Sequence, residues 1–325
     1  MKDHFCWRRL PLFLFGAFLI ALSPASAAGK KDRPTAPAGR HVRLLAVGNS
    51  FSGNATRFLG DLVAASAGGN QLTFGHASIG GCPLEKHVRL AEAFEKDKHD
   101  PLGRPYAGKS SLREMLQRQK WDYVTIQQAS IKSIELESYR PWARKLHDYI
   151  KQYAPQAEVL VHQTWAYRDD DRLFQSGKFS AGEMYRGLRD AYATIAKELG
   201  CRVIPVGEAF HQVCRDPGWR FDARGPAIDP KAYRHPQLPE QGRTLHAGWR
   251  WSGRDGRHVL SNDTHHAGLA GQYLAACVWF EFLYQQSIVG NKFVPRGLSA
   301  EDARFLQEVA HRVVGPCALP CRSDK

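Results

Sequence analysis

Beyond its N-terminal leader the sequence has no apolar run long enough to cross a bilayer, which takes about 20 residues, so nothing later in the chain reads as membrane-spanning. It has no internal repeat and no low-complexity tract, which excludes a solenoid or a largely disordered chain. It has no C-x-x-C pair, which removes a common framework for structural zinc. Basic residues are plentiful, 45 Lys and Arg against 32 Asp and Glu for a formal charge of +13, yet they are scattered from Arg40 to Arg322 and build no basic arm. Without that arm, nucleic acid is not the expected partner. The positive field favours an anionic surface or polymer instead.

What is present begins with the leader. "WRRLPLFLFGAFLIALSPASAAG" has a basic start, an apolar stretch of signal-peptide length and a small-residue end at Ala25-Ser26-Ala27. It predicts export, to the periplasm or beyond the cell, with residues 1–27 removed and no stable membrane insertion afterwards. Lys2, Asp3, Arg8 and Arg9 leave with it, so the product stays strongly basic. Cys6 leaves too, and the remaining cysteines suit an oxidising compartment. Cys317 and Cys321 are close enough to form a small loop, Cys201 with Cys214 is a second candidate pair, and Cys277 sits in an apolar helical pattern as a free thiol.

With 43% hydrophobic residues in 325, the chain can bury one substantial core, and a single domain with insertions is expected. Residues 28–40 read as a linker, 41–314 as the domain and 315–325 as a tail. Apolar runs predict strands at Val42–Val47, Gln71–His76, Tyr123–Gln127, Glu158–His162 and Arg202–Pro205. Helical patterns lie between them at Arg57–Ala67, Leu112–Lys120, Tyr139–Tyr153 and Ala181–Leu199, and two closing helices follow at Gly268–Tyr284 and Ala300–Val314. Strand and helix in alternation predict an α/β fold with a parallel sheet covered on both faces. Runs such as "YVTI" and "EVLVH" are apolar almost throughout, as strands buried on both sides are. From about 215 to 260 the period breaks down into a stretch rich in Pro, Gly, Arg and Trp, read as an ordered insertion that walls a site.

"GRPYAGKS", Gly103 to Ser110, fits the phosphate-loop pattern letter for letter. That chemistry needs a buried strand immediately before it, and "EAFEKDKHDPL" is charged and ends in Asp-Pro. The match reads as coincidence in a surface loop.

Three other features carry chemistry: Gly48-Asn49-Ser50-Phe51-Ser52 after the first strand, Ile79-Gly80-Gly81 after the second, and "SNDTHHAG", Ser261 to Gly268, at the start of a helix. A serine hydroxyl needs a neutral imidazole to take its proton, and a carboxylate can fix that imidazole's tautomer. Asp263 and His266 could supply both from one turn. Asn262 or Asp263 could instead cap the helix, and His265 could be the histidine that faces the site. A glycine after a strand can offer its N–H to an oxyanion.

In order and spacing these motifs resemble the SGNH (GDSL-type) hydrolases, and most closely an uncharacterised subgroup whose first motif reads GNSF, with segments like "HQTWAY" (His162–Tyr167) and "PVGEAF" (Pro205–Phe210). The resemblance runs from about Arg43 to about Tyr284. It implies a flavodoxin-like three-layer α/β/α sandwich with a five-stranded parallel sheet, an esterase activity and no metal or other cofactor. Carried onto this chain, Ser50 is the nucleophile, His266 the general base and acid, and Asp263 the residue that orients it. The N–H groups of Ser50 and Gly81 are the oxyanion donors. Two departures stand out. Asn49 replaces the usual Asp, and the block after the third strand has no Gly-x-Asn, so Gln127, or else Gln128, is read as the missing amide donor. His162 and Trp165 are read as substrate-binding residues on the same rim.

The function expected is a secreted serine esterase acting on an acyl group, O-acetyl or similar, of a carbohydrate. Trp219, Trp249 and Trp251 suit sugar stacking, and the charge suits an acidic polysaccharide. The rivals are a non-catalytic glycan-binding or envelope protein, an acyltransferase on the same scaffold, and a metal hydrolase built on Asp263, His265, His266 and His162.

Overall fold

A computed structural model describes residues 39–222, 228–253 and 257–315. The leader, most of the linker and the tail with Cys317 and Cys321 lie outside the described residues, which all fall within one unit beginning at Pro37.

Five parallel strands form the sheet: β1 (His41–Gly48), β2 (Gln71–Ser78), β3 (Tyr123–Ile126), β4 (Glu158–His162) and β5 (Arg202–Ile204), in the order β2-β1-β3-β4-β5. Their apolar runs are buried because helices cover both faces: Leu44, Leu45, Val124 and Leu160 have no exposed surface. One group of helices is α1 (Ser50–Thr56), α2 (Leu59–Ala64), α7 (Val206–Arg215), α8 (Leu269–Tyr284) and α9 (Ala300–Val314), with α8 packed against the other four. The second group is α3 (Leu84–Lys96), α4 (Leu112–Gln117), α5 (Trp142–Tyr153) and α6 (Ala181–Leu199), with α5 touching the rest. The expected α/β fold with its five-stranded parallel sheet and three layers is what the chain forms. Helix α8 is apolar on every side and buried accordingly, and Cys277 within it is a free buried thiol.

Several expectations are corrected. The helix predicted at Arg57–Ala67 begins earlier, at Ser50, because Asn49 caps it by accepting from Phe51 N–H, and it breaks in two near Phe58. Helices α3 and α7 were not anticipated. Near the end of the insertion β6 (His246–Ser252) forms, and it pairs antiparallel with β7 (Val259–Ala267), which follows the insertion. Cys201 and Cys214 are free thiols rather than partners. The phosphate-loop match follows a short 3-10 turn, not a strand, and folds back on itself through a Tyr106–Ser110 bridge.

Candidate active site

The loops that leave the carboxyl ends of β1, β2, β3 and β4 gather at one end of the sheet, where open α/β sheets bind ligands. Ser50 opens α1 two residues beyond β1. Its Oγ lies 2.9 Å from His266 Nε2, and His266 Nδ1 lies 2.9 Å from Asp263 Oδ2. With Nδ1–H donated to the carboxylate, Nε2 is left to accept from the serine hydroxyl. Burial works to raise the Asp263 carboxyl, but hydrogen bonds from the His266 ring and from the N–H groups of His266 and His265 hold it well below the usual carboxylate range. Ser50, Asp263 and His266 thus form one hydrogen-bonded chain, an arrangement that can remove a proton from a hydroxyl and return it.

The way Asp263 and His266 meet differs from the expectation. They sit on β7, not in the first turn of α8, whose N-cap is Gly268. Positions i and i+3 of a regular strand face opposite ways. Here Asp263 pairs with Gly248 and Ala267 with His246, four steps on β7 against two on β6. The extra residues bulge out, and Asp263 Oδ1 collects the N–H groups of His265 and His266 at 3.3 and 3.0 Å. Gly248 opposite the bulge has φ +63, a backbone conformation that would strain any side chain, and a Cβ there would push against Gln241 Oε1 at 1.9 Å.

The loop after β4 holds the bulge from the other side. Trp165 Nε1 donates to His265 O at 2.9 Å, and Arg168 N to Thr264 O at 2.9 Å. Buried Asp171 takes the Thr264 hydroxyl and, at 2.7 Å, His265 Nε2. His265 therefore turns to Asp171 and stacks on Tyr167 with ring centroids 3.8 Å apart, leaving His266 to face Ser50. Asn54, one turn along α1 from Ser50, accepts from Ala267 N at 3.0 Å and ties the two halves together.

After β2, Ile79 to Cys82 form a turn closed by Cys82 N to Ile79 O at 3.1 Å, with Gly81 at φ +64, the conformation that favours glycine at its third position. Ile79 N donates to Gly48 O, so this turn lies against the end of β1. Among the described residues neither the Ser50 N–H nor the Gly81 N–H is engaged in a hydrogen bond.

Gln127 and Gln128 do not supply the missing amide. Both are buried. The Gln127 amide donates to Asn49 Oδ1 at 2.8 Å and its oxygen accepts from Ser52 Oγ. Gln128 donates to Ser138 and accepts from Leu84 N and Ala129 N. The substrate-binding reading of His162 and Trp165 is likewise corrected, because both have no exposed surface. Trp165 is sandwiched between Phe51 and Phe210, each at 4.5 Å. His162 Nδ1 contacts Gln127 Oε1 at 3.1 Å, and burial pulls its imidazole down to about 3. His162 therefore does not join Asp263, His265 and His266, and among the described residues no group of three or more His, Cys, Asp or Glu side chains is placed to hold a metal ion. Trp219 is buried against Phe305, while Trp249 and Trp251 are half-buried on β6.

Three residues to which the sequence reading gave no role complete the site. Asn49 accepts from Phe51 N and Gln127 Nε2 and donates to Cys82 O at 3.1 Å, so one amide fixes the serine turn, β3 and the glycine turn together. The Cys82 bond needs a donor, which an Asp at this position would lack. His87 Nε2 donates to Gly48 O at 3.1 Å, and the ring, kept neutral by burial, accepts at Nδ1 from Tyr106 OH at 2.7 Å. Arg250 on β6 reaches Asp263 Oδ2 at 3.1 Å.

No curated protein matches the chain in sequence. Among solved structures, a DUF4886 family protein from Bacteroides uniformis ATCC 8492 is similar at 24% identity and a TM-score of 0.64, over 87% of this chain and 98% of that one. At that identity the likeness speaks for the fold. A provisionally assigned SGNH hydrolase from Slackia heliotrinireducens is 19% identical over 74% of this chain and 98% of its own, with a TM-score of 0.45. An acetyl-xylooligosaccharide esterase variant from Geobacillus is 13% identical over 79% and 98%, with a TM-score of 0.40. Residues 43–216 match the family described as "Domain of unknown function (DUF4886)". That match spans more than half of the chain, takes in the GNSF motif, and makes the protein a member of this uncharacterised family.

Proposed function

We propose that the protein is an exported serine esterase that cleaves an acyl ester of a carbohydrate through an acyl-enzyme on Ser50. The observation that carries this is the unbroken chain from Ser50 Oγ through His266 to Asp263, at 2.9 Å on each side of the imidazole. Ser50 Oγ attacks the ester carbonyl as His266 Nε2 takes its proton. The resulting oxyanion is met by the N–H groups of Ser50 and Gly81; two backbone donors make up the oxyanion hole of Ser-His-Asp proteases, so the loss of Gln127 as a donor does not weaken the reading. The alcohol departs with the proton from His266, and water, activated by the same imidazole, releases the acid and restores the hydroxyl. The half-buried Trp249 and Trp251 and the positive charge support a sugar polymer, acidic in character, as the carrier of the ester. The leader segment supports export.

The test is p-nitrophenyl acetate hydrolysis by the wild type and by Ser50→Ala. The wild type should turn over and the variant should lose at least about a thousandfold in kcat while keeping its Tm, in line with losses on removing a triad member. Equal turnover in the two proteins would refute the mechanism.

A further inference from the structure

Arg250 is the one cation that the described structure brings to the triad. It lies on β6 opposite Ser261, and Asp263 is two positions farther along β7, so Arg250 and Asp263 are diagonal neighbours across the pair. Its Nη2 is 3.1 Å from Asp263 Oδ2, the same oxygen that lies 2.9 Å from His266 Nδ1. A guanidinium stays charged at every working pH. Asp263 therefore shares its negative charge between a permanent cation and an imidazole that is charged only when protonated.

We infer that Arg250 is a positioning residue that acts through Asp263 to lower the basicity of His266, and so sets the pH at which that imidazole becomes neutral and able to accept the Ser50 proton. The inference rests on the esterase reading above and adds its pH control.

Other charges near β7 are already matched to partners. From the loop after β4, Asp171 is taken up by Thr264 and His265, and Asp170 by Arg168 and Asn262, with Arg168 Nε at 2.6 Å. His246, across from Ala267, donates from Nε2 to Ala166 O at 2.9 Å and is kept neutral by burial, which pulls it down to about 4. Helix α1 presents the uncharged Ser50 and Asn54, and Phe51 contributes only its ring, 5.6 Å from that of His266. Arg250 alone among the neighbours places an unvarying charge on the carboxylate that holds the imidazolium. A purely structural role is a weak competitor, because the Arg250 side chain is 53% exposed and ion pairs of that kind add little to stability.

The experiment is an NMR titration of the His266 ring in the wild type, Arg250→Met, Arg250→Gln and Arg250→Lys, with the signal assigned by its loss in His266→Gln. In Arg250→Met and Arg250→Gln the midpoint should rise by about 0.5–1 unit, the size expected for a unit charge several ångströms away through a largely aqueous dielectric. Arg250→Lys, which keeps the charge, should stay close to the wild type. The acid limb of kcat/KM for p-nitrophenyl acetate should move upward by the same amount. A His266 midpoint unmoved in Arg250→Met and Arg250→Gln overturns the inference. So does a lysine variant shifted as far as the methionine one, or an effect confined to KM. If the ring titrations move as expected but the wild type cleaves no ester, the coupling stands and the esterase reading fails. If the wild type turns over through Ser50 and the titrations coincide, the reverse holds.

Discussion

Asn49 shows what a single side chain contributes here. In the sequence it stands only as a departure from the family's usual Asp, yet its amide caps α1, accepts from Gln127 and donates to Cys82 O, all in a setting 1% exposed. Asn49→Ala should remove a helix cap, worth about 1 kcal/mol, and leave a buried amide and a carbonyl unpaired, for a total loss of about 2–4 kcal/mol. Urea unfolding should register that loss, and kcat should fall at least about tenfold because the serine turn and the glycine turn are no longer tied. A variant with unchanged midpoint and kcat would contradict the role given to Asn49. The grouping of Ser50, His266 and Asp263 was legible because these residue types in this order suit proton transfer, and the fold brings them into hydrogen-bonding distance. Gln127 was misread because an amide at a strand end looks the same whether it faces a substrate or its neighbours. Its burial, and the Asn49 and Ser52 side chains that occupy it, are tertiary facts.

At the scale of elements, periodicity served where burial follows a regular face. Strand β4 and helices α6 and α9 begin and end where their apolar patterns do. It failed where polar groups are buried by pairing. Helix α3 turns His87 into the core along with Leu84, Val88 and Ala91, so a polar letter interrupts its apolar stripe. Strand β7 reads "VLSNDTHHA", which no propensity would assign to a strand. Its polar residues are accommodated one by one: Asn262 by Arg168 and Asp170, Asp263 by His266 and Arg250, Thr264 and His265 by Asp171. The i,i+3 spacing of Asp263 and His266 suggested a helical turn, and a bulge achieves the same meeting by another route. That bulge depends on a partner strand and a loop about a hundred residues away in sequence, which one-dimensional patterns do not carry.

For the molecule as a whole, buried histidines govern the response to acid. Burial pulls His87 down to about 4, His162 to about 3 and His246 to about 4, from an ordinary 6.5. In the folded protein they remain neutral as pH falls, whereas in the unfolded chain they take up protons from about pH 6.5 downward. The unfolded state then binds more protons than the folded one, so stability decreases as pH drops from about 6.5 towards 4, by up to about 1.4 kcal/mol per pH unit for each histidine. The depressed Asp263 carboxyl acts in the same sense at lower pH, since its contribution is present above the ordinary carboxylate range and is lost as acid protonates it. Thermal denaturation between about pH 6.5 and 4.5 should accordingly give a Tm that falls steadily, and a flat Tm over that interval would contradict the neutral burial of these rings.

The proposed chemistry depends on the hydroxyl of Ser50, whose reactivity can be measured without a substrate. The intact protein and the Ser50→Ala variant are incubated with a fluorophosphonate, digested and examined by mass spectrometry. A single phosphonylated peptide containing Ser50 is expected in the wild type and no adduct in the variant, because only a hydroxyl paired with a neutral imidazole attacks such a phosphorus centre rapidly. A wild type that stays unlabelled, or carries the adduct only on another residue, would contradict that chemistry.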